Sequence, residues 1–499
     1  MDSKDINKTS VKKNMIMNAI LTMSQFIFPL ITFPYVSRVL FKEGTGRVDF
    51  VASVVTYFSF FAQLGIPMYG IRACGKVRED KEELSRVVHE LLIINLITCL
   101  ITYAVYIPVI AIVPRFQKDI PLFIIMGSTI LLSAIGVEWL YRGLEKYQYI
   151  TIRSLIFKAI AVVAMLLMVK TRDDYVIYGA ITIFAASASN VLNFINLRKY
   201  VILKPLKGYN FRRHIKMILT FFAMSIATVI YTNLDKVMLG FMKEDADVGL
   251  YGAAVKLKNI LLAVVTSAST VLLPRASLYV EKGMTDEFHR ILRKTMHFIV
   301  LLAVPVTVYF ILYAKEGILF LSGDDYRDAA PAMMIIMPTV FLIGITNVTG
   351  IQMLVPLGRE KQVLYSEIVG AVIDLMLNAI FIPKFGAAGA AFGTFIAEIG
   401  VLIYQLYVIR DIPAKLFHEI KWIHSVVSVL IGSALCIVFK FLHFSDKVEL
   451  DSFIKLAISA VLFFGAYYIY LLAVKEPLVG EITEQVLVKL HLKKNKVDI

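Results

Sequence analysis

Apolar stretches of about 20 residues or more recur along the chain, each closed by a short cluster of charged residues. About 20 helical residues cross a hydrocarbon core, so the pattern predicts membrane-spanning α-helices. Cutting at the charged breaks gives about 14 spans. Their approximate limits are 14–40, 48–71, 87–113, 120–141, 154–169, 175–197, 217–241, 249–273, 295–314, 329–353, 362–383, 387–409, 422–443 and 453–474. The expected fold class is an all-α polytopic membrane protein. The first two spans, joined by the polar turn FKEGTGRVD, read as a transmembrane hairpin. Pro29 and Pro34 lie within the first span and are expected to break its helix, with Arg38 following inside the same apolar run. A proline-broken helix carrying a charge faces protein or a watery cavity rather than lipid, which points to a transport pathway.

Composition agrees with the pattern. The 499 residues are 58% hydrophobic with a mean hydropathy of +0.73, beyond the apolar share of soluble domains. A net charge of +14 would suit nucleic acid if it formed one polar face, but Lys and Arg lie between the apolar runs. No nucleic-acid partner is therefore expected, and the positive-inside rule accounts for the basic residues. With the N-terminus inside, about 34 of them fall on the cytoplasmic side against about 12 outside, a nearly threefold excess that also places the C-terminus in the cytoplasm. Cys74, Cys99 and Cys436 are too far apart for a metal-ligand pattern or a disulfide framework, and no cofactor is expected. No small-residue cleavage site follows the first apolar run, which reads as a retained helix.

The expected organisation is a cytoplasmic N-terminus over 1–13, an N-lobe over 14–197, a basic cytoplasmic linker over 198–216, a C-lobe over 217–409, two further helices over 422–474 and a cytoplasmic tail over 475–499. An internal repeat supports the division. Arg38-Val39-Leu40 is answered by Lys236-Val237-Met238, Glu83-Leu84-Ser85-Arg86 by Glu287-Phe288-His289-Arg290, and Gly143-Leu144-Glu145-Lys146 by Gly358-Arg359-Glu360-Lys361. The offset grows in order from about 198 to about 215, as two old copies with small loop insertions require. Each copy holds an even number of spans, so the copies are parallel repeats, and substrate sites in such folds lie at the repeat interface. The tail presents Ile482, Val486 and Leu490 with basic residues beyond, a pattern that suits a helix lying along the membrane surface.

The segments PLITFPYVSRVL and LGIPMYGIR, the Glu43-Gly44 turn, and the later NLDKVMLG and GLYGAAVKL resemble the signatures of Wzx-type oligosaccharide flippases. That family shares a superfamily with the lipid II flippases and the multidrug and toxin extrusion antiporters. The resemblance implies two six-helix lobes forming a V around a cavity that opens alternately to each side of the inner membrane. It also implies an undecaprenyl-diphosphate-linked oligosaccharide as substrate and a polysaccharide polymerase as partner.

Arg38, Lys236 and Lys256 are the candidates for binding an anionic lipid head group, Arg38 and Lys236 because they are repeat-equivalent. Snorkelling to the membrane surface is the competing reading for Arg38 and the favoured one for Lys158 and Lys440. Lys258 sits two residues from Lys256 and so on nearly the opposite face of the helix. Glu138 and Arg142, four apart, are placed to neutralise each other. Asp374 and Glu398, near mid-depth without a basic residue within a turn, are candidate proton or cation sites or partners of Asn378, and Asp235 is a third possible coupling carboxylate. No phosphate loop, zinc pattern or GxSxG turn is present, and the longest outer loop, 315–328, is too short for the catalytic domain of a polymerase or glycosyltransferase. A lipid II flippase or a drug antiporter is the nearer rival. The orientation is checked by fused reporters: one placed after Lys207 should be cytoplasmic and one after Asp245 external, and the reverse result would overturn the assignment.

Overall fold

An unpaired peptide group inside a bilayer costs several kcal/mol, so a spanning backbone must satisfy its own hydrogen bonds. The computed structural model, which describes residues 11–410 and 422–489, meets this demand with helices, and no strand occurs among the described residues. Thirteen helical stretches there are long and apolar enough to cross a membrane. The first of them, Lys13–Lys76, contains a backbone reversal and holds the first two expected spans. The protein is a multi-pass, all-α membrane protein. The expected cytoplasmic N-terminus up to residue 10 and the end of the tail, with Leu490, lie outside the described residues.

The chain forms two compact units. One comprises the residues up to Gly252 with Asn378–Ala387, and the other Ala253–Leu377 with the residues from Ala388 on. The first unit is organised by the helix Val11–Gln63. Its break lies at Phe41, where φ is 57° and ψ −177°, and not at the prolines: Pro29 and Pro34 are carried within helical backbone. A proline removes one amide donor and crowds the preceding turn, but neighbouring groups can absorb both effects. In the same turns the Arg38 guanidinium (2.5 Å) and the Ser37 hydroxyl (3.3 Å) donate to the Pro34 carbonyl and Thr32 donates to that of Phe28 (2.9 Å), side-chain bonds made within the helix itself.

Beyond the reversal the two arms find different partners. The first arm runs parallel to the helix Tyr147–Met168. Thr151 donates to the Met17 carbonyl (3.0 Å), Lys158 to the Ser24 hydroxyl (2.7 Å), and Tyr35 to the Val169 carbonyl (2.8 Å). Lys158, expected to snorkel, thus binds a serine on a neighbouring helix. The second arm runs antiparallel to the helix Arg212–Met242, with Tyr57 donating to the Ile230 carbonyl (3.0 Å) and Lys236 lying 3.6 Å from Asp49. Because Arg212–Met242 packs there, the compact unit continues past the 198–216 linker that was expected to separate the lobes. The linker itself is held by a wholly buried carboxylate. Glu90 accepts from the Asn210 amide (2.5 Å), from Arg213 (2.6 and 3.0 Å) and from His214 (2.6 Å).

In the second unit, the helices Trp422–Cys436 and Val448–Ala473 pack on Thr285–Leu312 through buried tyrosines, whose rings fill apolar space while each hydroxyl finds a carbonyl. Tyr309 donates to Leu456 (2.8 Å), Tyr313 to Cys436 (2.5 Å) and Tyr467 to Leu301 (2.8 Å). Lys440 donates to the Leu312 carbonyl (3.0 Å) at the end of the same helix.

Main chain approaches main chain where the turn after Phe41 meets the start of the helix Asp245–Glu281. A Cβ on Gly46 would stand 1.8 Å from the Asp245 carbonyl oxygen, and one on Gly249 would stand 2.0 Å from that of Lys42. Both obstacles are main chain, so neither can yield by a rotamer change. Gly46→Ala and Gly249→Ala should therefore each cost at least the ~1–3 kcal/mol of an overpacked core, read as a lowered thermal midpoint and reduced yield of folded protein. Gly465→Ala, where nothing lies within 4 Å of the added carbon, should be neutral or stabilising.

Candidate functional site

A charge in an apolar span must be neutralised, hydrated or hydrogen-bonded, so the partner of each charged residue shows what that residue can do. Arg38 is half-buried three residues before the reversal and donates to a carbonyl of its own helix. Lys236, its expected counterpart in the sequence repeat, faces Asp49 at 3.6 Å, with both side chains mostly withdrawn from the surface. Its charge is thus balanced within the first unit. Asp235 turns the other way and accepts from the Tyr251 hydroxyl and from Asn378 Nδ2, the latter at 2.6 Å. This carboxylate is 5% exposed and is held by neutral donors from two other helices. Asn378, a possible partner for Asp374 or Glu398, bonds Asp235 instead.

Lys256, Asp374 and Glu398 belong to the second unit. Lys256 and Lys258 are both half-buried, Asp374 is fully buried and Glu398 is 6% exposed. Near them in sequence, an uncharged chain links three helical segments: Thr349 donates to Gln405 (2.5 Å), which donates to Ser366 (3.1 Å). Thr349 stands in a π-helical segment, Asn347–Leu354, an irregularity frequent at functional positions. Glu138 and Arg142 pair as their spacing requires, through two hydrogen bonds of 2.7 and 2.9 Å.

Sequence reasoning missed a charged corner beside the glycine contact. Asp245 binds Arg115 and lies 3.4 Å from Arg47, while Arg115 also donates to the Gly240 carbonyl (2.7 Å) and covers the Phe50 ring (4.4 Å). Asp119, 1% exposed, lies 3.5 Å from Arg115 and 3.8 Å from Arg47 without a hydrogen bond to either oxygen. Two carboxylates share two arginines, and Asp245 holds the better geometry. All four read as loop residues in sequence and so escape notice. Asp49 stands at the mouth of the second apolar run, the kind of signal that marks Arg38.

A hydrophobic multi-span bundle with paired charges inside its helices defines a multi-pass membrane protein with ionisable groups held among its spans, and the family and relatives it matches make it a transporter. A family model described as polysaccharide biosynthesis protein matches residues 11–280, and the chain belongs to that family. A second model, MatE, matches residues 220–380. The chain is 24% identical over 415 residues to a putative O-antigen transporter of Escherichia coli K12, covering 81% of this chain and 98% of that one. It is 21% identical over 281 residues to a probable low-salt glycan biosynthesis flippase of Haloferax volcanii, covering 56% and 53%. Among solved structures, the lipid II flippase MurJ in an inward closed conformation superposes with a TM-score of 0.69 at 17% identity, covering 93% of this chain and all of that one. An inward-facing MATE family multidrug transporter gives 0.63 at 16% identity, covering 81% and 99%. These structures share the fold.

Burial pushes the Asp119 carboxyl above the ordinary carboxylate range, against the pull of Arg47 and Arg115 and with Asp245 adding to the rise. The folded protein then holds this proton more readily than the unfolded chain. The group's contribution to stability is therefore full below the ordinary carboxylate pKa and is lost as pH rises through the raised value. Asp119→Asn removes that dependence. The thermal midpoint of the wild type relative to this variant should climb as pH falls from about 7 to about 4, and a flat or falling difference would contradict the assignment.

Proposed function

We propose that the protein is a flippase that moves an undecaprenyl-diphosphate-linked oligosaccharide repeat unit from the cytoplasmic to the outer leaflet of the inner membrane by alternating access. The observation that carries this reading is the likeness to a putative O-antigen transporter along 98% of that protein's length, within a family of polysaccharide biosynthesis proteins. The protein acts by translocation and not as an enzyme, with the glycan polymerase as a partner downstream. Both termini lie in the cytoplasm.

In this reading Arg38, Lys236 and Lys256 receive the diphosphate. The Lys236–Asp49 contact gives the step a physical form, because the ammonium must exchange a resident carboxylate for the incoming phosphate oxygens. A planar guanidinium at Arg38 can hold two such oxygens at once, whereas lysine offers a point charge. The buried carboxylates Asp235, Asp374 and Glu398 are the groups through which a proton or cation gradient would couple to the cycle.

Leaflet-resolved assay of the lipid-linked intermediate in flippase-deficient cells, at matched expression, tests the proposal. Arg38→Ala and Lys236→Ala should insert normally and lose transport by about tenfold or more, the scale of ~1.4 kcal/mol of head-group binding. Arg38→Lys and Lys236→Arg should retain partial activity. Transport near wild type in both alanine variants would remove these residues from the head-group site.

A further inference from the structure

The helix Tyr147–Met168 begins without a side-chain cap, and a cleft of about 830 Å³ opens beside its first turns. Lys13, Asn14, Lys146, Tyr149, Arg153 and Phe157 are among the residues lining it. Two of these carry polar groups that the protein leaves unsatisfied. Arg153 is 6% exposed, its Nε and Nη1 have no hydrogen-bond partner, and its nearest carboxylate oxygen, on Glu138, is 3.9 Å away. Asn14 is 7% exposed, and neither amide atom has a partner. Buried polar groups are normally hydrogen-bonded, and buried guanidinium donors strongly favour an anionic acceptor.

The surroundings favour an anion. Glu138 is already bonded twice to Arg142, and Glu145 is paired with Arg78 at 2.9 Å. Lys13 and Lys146 stand with Arg153 around the same space, and the positive end of the helix, which starts without a side-chain cap, adds to their charge. Part of the wall is apolar and exposed: Ile152, Ile156 and Leu192 line the cleft and are 46%, 52% and 41% exposed, on helical stretches long and apolar enough to cross a membrane. A soluble phosphate needs no such wall, whereas an acyl chain does.

We propose that this cleft binds the phosphodiester head group of an anionic phospholipid, in the leaflet on the side of the 198–216 linker. Arg153 and the Asn14 amide hold the phosphate, Lys13 and Lys146 contribute charge, and the Asn14 carbonyl accepts from a head-group hydroxyl. The acyl chains lie along Ile152 and Ile156. Asn14 and Arg38 are separated by 24 positions on one helical arm, about 36 Å at 1.5 Å per residue, so this lipid site is separate from the proposed diphosphate site. The inference does not rest on the identity of the transported substrate.

The test uses the purified full-length protein in neutral detergent, titrated with dihexanoyl phosphatidylglycerol, dihexanoyl phosphatidylcholine and inorganic phosphate, with thermal unfolding as the readout. Phosphatidylglycerol should raise the midpoint saturably, and the other two should do so only at concentrations at least about tenfold higher. Arg153→Gln should weaken the phosphatidylglycerol response by about tenfold. If that variant does not fold, the double variant Lys13→Ala with Lys146→Ala carries the test and should weaken binding at least about threefold. An equal response to phosphatidylcholine, an equal response to inorganic phosphate, or unchanged affinity in the double variant would each overturn the proposal.

Discussion

Two glycines brought against opposing main chain set the geometry of the first unit. Gly46 lies under the Asp245 carbonyl and Gly249 under that of Lys42, so the turn after the first span and the start of the helix Asp245–Glu281 touch as bare backbone. Only residues without a Cβ permit that approach. It fixes where Phe41 must reverse the chain and brings Arg47 and Asp245 within 3.4 Å. It also places the arm that carries Asp49 along Arg212–Met242, where Lys236 meets it. The two turns in contact are those that follow Arg38 and Lys236.

Within this frame the charges are economical. Lys236 is balanced by an acid from another span, and Asp235 is solvated by a phenol and an amide. Such arrangements keep ionisable groups inside apolar surroundings at tolerable cost, because each retains directional partners.

Much of this architecture was legible from hydropathy alone, because a bilayer demands long apolar helices and leaves little else permissible. The Glu138–Arg142 pair was legible too, since a spacing of four on a helix determines contact. The proline expectation failed at Pro29 and Pro34, which stay within helical backbone while the break falls at Phe41; the first arm is held along Tyr147–Met168 by bonds on both sides of the prolines, and neighbouring helices allow a spanning helix to carry proline. Lys236 with Asp49, and Asp245 with Arg115 and Arg47, join residues far apart in sequence, and no local pattern announces them; Arg115 and Asp119 are four apart but read as loop residues. The lobe boundary expected at 198–216 rested on the charge of the linker and on an offset in sequence, whereas the compact unit takes in Arg212–Met242 and runs on to Gly252.

The anchoring of the linker by Glu90 bears on how the chain is made. Asn210, Arg213 and His214 lie 120 to 124 residues downstream of the carboxylate they bind. On a ribosome adding about 5–20 residues per second, Glu90 waits roughly 6 to 25 seconds for its partners to be synthesised. During that interval the helix Lys81–Ile112 holds an acid whose native bonds do not yet exist, and water or a proton must serve in their place. Biogenesis thus imposes an order: the early helices enter the membrane provisionally, and the arrival of Arg213 and His214 completes their charge balance.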